Sequence, residues 1–85
     1  MRAANFEAWA STRGGLKENS AASYVDYLEA VERDYALDLD REWKSTALLS
    51  AISRLRADRT VNPNTKRNRL SALNKYADFC SSASN

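Results

Sequence analysis

The chain has 85 residues, with 13 Lys and Arg against 11 Asp and Glu, two Gly, one Pro, one Cys and no His. A chain this short folds as one domain around a small core, so its function is expected on a surface rather than in a deep cleft. The single Cys80 excludes an internal disulfide and the absence of His removes the usual zinc and iron ligand sets, so no metal or other cofactor is expected.

Low Gly and Pro content and apolar spacing near the helical period predict helices throughout. The first runs from about Ala3 to Arg13, with Phe6, Trp9 and Ala10 at i, i+3 and i+4 facing the core, and Gly14-Gly15 ends it. The second, Glu18 to Tyr35, aligns Tyr24, Leu28, Val31 and Tyr35 and leaves Asp26, Glu29, Glu32 and Arg33 mainly off that line. Glu29 and Glu32 are adjacent carboxylates, read as part of an exposed acidic stripe rather than a catalytic pair. The third is predicted to begin near Asp40 as N-cap and to present Trp43, Ala47, Leu48, Ala51, Ile52 and Leu55 on one arc, before the polar connector RADRTV. Leu49 falls outside that arc.

The fourth helix is predicted from Asn62 as N-cap, with Pro63 at the first helical position, where no backbone N–H is needed, to Cys80. Leu70, Leu73, Tyr76, Ala77 and Cys80 share its packed arc. Arg67, Ser71, Asn74 and Asp78 line the opposite side, with Asn68 and Lys75 beside them. Residues 81–85, SSASN, are expected to be a flexible tail or the start of a linker after a domain of residues 1–80. No apolar run approaches the roughly 18 residues needed to cross a bilayer, and no secretory signal follows Met1-Arg2, so a soluble, cytoplasmic chain without a membrane partner is expected.

Charge is divided unevenly along the chain. Residues 1–42 carry five Lys/Arg against nine Asp/Glu, and residues 43–85 carry eight against two. Between Arg54 and Lys75 stand seven cations and one acid, Asp58. A local field of that sign attracts polyanions, whereas a dipolar surface whose halves attract each other is the alternative. Lys66, Arg67 and Arg69 crowd the start of the fourth helix, whose dipole repels each by about a few tenths of a kcal/mol unless an anion is near. That anion is either an external phosphate or an internal carboxylate, for which Asp38, Asp40 and Glu42 are the candidates. Lys66 and Arg69 fall within the packed arc, from which a long side chain projects past the end of a neighbouring helix.

Three stretches, FEAWA at 6–10, LKENSAASYVDYLEAV at 16–31 and NPNTKRNRLSALNKYADF at 62–79, together resemble the N-terminal core-binding domain of the tyrosine recombinases, the phage-integrase family. Leu16, Tyr24 and Leu28 match that domain's Leu-Ser-x-x-Thr-x-x-x-Tyr-x-x-x-Leu pattern, with Lys17 in place of Ser and Ser20 in place of Thr. Pro63, Thr65, Leu70 and Leu73 match its closing Pro-x-Thr-x-x-x-x-Leu-x-x-Leu, and Tyr76 takes the place of the following aromatic.

The resemblance implies an all-α fold, a compact four-helix SAM-like orthogonal bundle. It also implies a DNA-binding module that grips duplex DNA from one side, as half of a clamp completed by a catalytic domain. Contacts would come from Ser20 and Ser23 near the start of the second helix. Thr65, Lys66, Arg67, Arg69 and Lys75 would supply them from the fourth, mostly to phosphates. The partners so implied are duplex DNA, a catalytic domain and further copies of the chain on DNA, with no small-molecule substrate. The family's Tyr nucleophile acts among Arg and His residues of a later domain. Tyr24, Tyr27, Tyr35 and Tyr76 lack such a setting, so no enzymatic activity is expected of this chain. The alternative is a helical protein-interaction or self-association module, docking through the acidic face of the second helix or through Leu49. On the DNA-binding reading, replacing Arg67 and Arg69 together by Glu should abolish DNA affinity and leave helix content unchanged.

Overall fold

The computed structural model describes residues 1–43 and 45–83, and every regular element in them is a helix. These are α1 (Ala3–Thr12), α2 (Glu18–Tyr35), α3 (Leu39–Glu42), α4 (Thr46–Ala57) and α5 (Pro63–Ala83). Helices α1, α2 and α5 pack against one another, while α4 packs on α3 and on α5. Among the described residues, no helix is long and apolar enough to cross a membrane.

The helical period accounts for most of the core. Phe6 and Ala10 of α1, Leu28 and Val31 of α2, Leu48 and Leu55 of α4, and Leu73, Tyr76 and Cys80 of α5 are all buried. Phe6 holds the centre, its ring centroid 5.4 Å from that of Tyr76 and 5.8 Å from that of Phe79. Trp9, Tyr24 and Tyr35 lie at the edge of the core, half-buried, and Ala47 is exposed. On α5 the inward arc is centred nearer Ala72 and Phe79 than the sequence suggests, leaving Leu70 and Ala77 half-buried.

The helix ends follow local chemistry. After α1, Gly15 takes φ 76°, and the Leu16 N–H donates back to the Ala10 carbonyl at 2.9 Å. A Cβ on Gly14 would lie 2.9 Å from the Ala10 Cα, so this return needs glycine there for space. Helix α2 closes on Ala36 in the left-handed region, φ 52°. At the start of α5, the Asn62 side chain accepts the Asn64 N–H at 2.8 Å ahead of Pro63, as the sequence predicts. Helix α5 runs on to Ala83, past the Cys80 end read from the sequence. Ser84 and Asn85, the end of the expected tail, lie outside the described residues.

The predicted third helix is two helices, which makes five in the described residues rather than four. The Ser45 hydroxyl donates to the Glu42 carbonyl at 2.9 Å and accepts the Leu48 N–H at 3.3 Å. One side chain therefore closes α3 and opens α4, and it needs no Gly or Pro to do so. The cap of α3 is Asp38, which accepts the Asp40 N–H at 3.1 Å, so Asp40 is not the cap expected. Leu39, at the start of α3, is fully buried.

Freed from capping, Asp40 ties the chain's beginning to α5. It accepts hydrogen bonds from the Tyr76 hydroxyl and, at 3.0 Å, from Arg2 Nε, while the Arg2 backbone N–H donates to the Tyr76 oxygen at 3.1 Å. The Arg2 guanidinium lies 4.8 Å above the Phe79 ring. Burial opposes ionisation of Asp40, but the bonds from Tyr76 and Arg2 outweigh it and hold the carboxyl below its usual range. Burial and the same carboxylate push the Tyr76 hydroxyl well above the ordinary phenol value.

Candidate nucleic-acid interface

A helix of 21 residues is about 32 Å long, so α5 spans nearly the whole 34 Å of the molecule's longest dimension. That length brings it past the C-terminal ends of three other helices, where carbonyls lack intrahelical partners and the dipole is negative. Each of three α5 cations goes to one of these ends. Lys75 Nζ donates to the Gly14 carbonyl, just beyond α1, at 3.0 Å. Arg69 Nη1 donates to the carboxylate of Asp34, in the last turn of α2, at 3.1 Å. Lys66 Nζ donates to the Arg56 carbonyl, in the last turn of α4, at 3.0 Å.

Lys66 and Arg69, whose charge crowds the positive end of α5, thus serve the opposite poles of its neighbours, and Lys75, further along, does the same for α1. The internal anion is Asp34, not Asp38, Asp40 or Glu42; it also pairs with Arg33 at 3.2 Å. Glu32 is not part of a free acidic stripe, because it accepts the Leu39 N–H at 3.0 Å. The Arg69 side chain is only 13% exposed, and its Nε is buried without a hydrogen-bond partner.

Arg67 is different. It is exposed, and no hydrogen bond or ion pair engages it among the described residues. The same holds for the side chains of Arg56 and Arg59 at the α4–α5 connection. Arg54 lies 5.1 Å from the centroid of the Tyr35 ring. Asp58, the one acid of this stretch, accepts both the N–H and the hydroxyl of Thr60, at 2.8 and 2.6 Å. Those bonds hold its carboxyl below the usual range. Along α5 itself no acid precedes Asp78.

The start of α2 and the outer side of α5 meet at a shallow depression of about 260 Å³, lined by Asn19, Ser20, Ser23, Tyr24, Tyr27 and Asn68. Ser20 and Ser23 are thereby brought together with α5, one residue from Arg67. The Ser23 hydroxyl donates to the Asn19 carbonyl at 3.0 Å, and Ser20 is exposed. Thr65 is half-buried one turn before Asn68 and is not among the lining residues. Asn68 Nδ2 donates to the Tyr27 hydroxyl at 3.3 Å.

Sequence reasoning assigned neither Asn68 nor Tyr27 a role in contacts. The available signal was a Tyr set three residues past Tyr24, off the apolar line of α2, facing an Asn at the border of the wet side of α5.

A second depression, of about 320 Å³ between α1 and α2, is lined by Ala4, Glu7, Ala8, Ser11, Glu18 and Ala22 and carries acids rather than cations. Among the described residues, no three His, Cys, Asp or Glu side chains are grouped as a metal ion requires. The carboxylates of Glu32, Asp38 and Asp40 instead surround the Met1 ammonium at 3.2, 3.9 and 3.8 Å. The chain matches no family model, no curated protein and no solved structure.

Proposed function

We propose that the chain is a non-catalytic duplex-DNA-binding module, akin in fold and role to the SAM-like core-binding domain of a tyrosine recombinase. In this reading α1, α2, α4 and α5 are the four helices of the bundle and α3 is a one-turn lead-in to α4. The observation that carries the reading is the meeting of the α2 start with α5 at Asn68, the residue that follows the exposed and unengaged Arg67.

Six of the eight cations of the basic half then form two groups. Lys66, Arg69 and Lys75 hold α5 against its neighbours, while Arg67, Arg56 and Arg59 supply the charge for phosphates. A catalytic domain or further copies of the chain are the partners that would complete the clamp.

Titration with a short duplex at low and at physiological salt tests the reading. Three phosphate-neutralising cations give a log–log salt slope of about −3. Absence of binding at low salt, or binding insensitive to salt, refutes it. The exposure of Leu49, at 63%, favours a second reading as a self-association module. That reading requires a dimer in sedimentation that Leu49→Ser dissolves, and a monomer without DNA rules it out.

A further inference from the structure

We infer that the depression between α2 and α5 is the seat of one backbone phosphate of a bound duplex, with Tyr27, Asn68 and Ser20 as its hydrogen-bond donors. The inference rests on the DNA-binding reading and adds to it the residues that fix the register of the DNA.

The case is a count of protons. A primary amide has two N–H donors, and Asn68 uses one on the Tyr27 oxygen. Tyr27, having accepted that bond, keeps its own hydroxyl proton for another acceptor. Ser20 lies on the same side of α2, seven residues before Tyr27, and its hydroxyl has no partner among the described residues. Ser23 does not join them, because its proton is committed to the Asn19 carbonyl.

Unused donors of Ser20, Tyr27 and Asn68 therefore line one concavity, beside the hydroxyl of Tyr24 and the side-chain amide of Asn19, and that lining contains no carboxylate. Their complement is a group that only accepts and projects from a convex surface, which describes a phosphate oxygen of duplex DNA. The Tyr27–Asn68 bond fixes both side chains before the ligand arrives, so little freedom is lost on binding. The seat itself is neutral and the attraction comes from the exposed Arg67, one position before Asn68 on α5, so inorganic phosphate alone has little reason to stay.

This division of roles gives separable readouts. Neutral donors release no counterions, so Tyr27→Phe, Asn68→Ala and Ser20→Ala should each weaken duplex binding by about tenfold at fixed salt without changing the salt slope. Arg67→Gln should instead reduce the magnitude of the slope by about 1. The Phe variant keeps the ring that packs 6.2 Å from Tyr24 but loses the bond from Asn68, so its thermal midpoint should fall slightly, whereas Ser20 is exposed and Ser20→Ala should melt with the parent chain. Duplex should shift the Asn68 side-chain amide resonances, and inorganic phosphate at matched ionic strength should not.

Parent-like affinity in the Tyr27, Asn68 and Ser20 variants, with weakened binding only in Arg67→Gln, overturns the seat and leaves the DNA-binding reading standing. Equal shifts with inorganic phosphate overturn it in favour of a free-anion site. A parent chain that binds no duplex at low salt removes both.

Discussion

Lys75 donates from Nζ to the carbonyl oxygen of Gly14 at 3.0 Å, across 61 positions of sequence. The ammonium meets the negative end of α1 at the turn where the chain leaves that helix for α2, and it is partly shielded from water. Lys75→Met keeps the stem and removes the donor, so it should destabilise the fold by about 1 kcal/mol, read as a lower thermal midpoint. DNA affinity should change little. A large loss of affinity at an unchanged midpoint would place Lys75 at the DNA instead.

Arg67 and Arg69 are two positions apart and face different partners, so their charge reversals should separate. Arg69→Glu sets a carboxylate against Asp34 at the end of α2 and should cost about 1–3 kcal/mol of stability. Arg67→Glu touches no internal partner and should leave stability within about 0.5 kcal/mol while lowering duplex affinity more than tenfold. The double substitution is therefore not expected to leave the fold intact, as the sequence alone suggested. Chemical denaturation of the two single variants decides the matter.

Acid should loosen the junction of Arg2, Asp40 and Tyr76. Asp40 titrates below its ordinary value of 3.8 in the folded chain, so on acidification the unfolded chain takes up the proton first. Its contribution to stability is complete above that value and is lost as pH falls through the lower folded value. Urea midpoints measured across this range should fall for the parent chain and fall less for Asp40→Asn. Equal acid limbs in the two proteins would show that Asp40 contributes nothing to this pH dependence.

Leu73 and Leu49 offer a contrast within one residue type. Leu73 is 5% exposed and Leu49 63%. Leu73→Ala should cost about 2–5 kcal/mol, a large share of the stability of a domain this small. Leu49→Ser should stay within about 0.5 kcal/mol in the monomer. Thermal melts of both variants provide the comparison.

The sequence carried α1, α2 and the start of α5 because their signals are local: Phe6 with Ala10, Leu28 with Val31, Gly14-Gly15, and Asn62-Pro63. It concealed the break between α3 and α4 because Ser45 does by side-chain hydrogen bonding what Gly or Pro would have announced. The cations show the other limit. Charge and helical position located Lys66, Arg69 and Lys75, but their acceptors lie 10, 35 and 61 residues away and are known only once the helices are packed. A hint was present in Lys66 and Arg69 falling on the packed arc, a direction that brings a long side chain to a neighbouring helix before it reaches solvent. The depression at Ser20 was half legible, since its serines lie near the start of α2 but its Tyr27–Asn68 pair joins residues 41 apart.

One rod secures the tips of three others, so the molecule has little room for piecemeal opening. If α5 lifts away, α1, α2 and α4 lose their terminal anchors together and most of the core goes with them. Slow amide exchange along α1, α2, α4 and α5 should accordingly report a single shared free energy, that of melting the whole unit, with only frayed ends exchanging sooner.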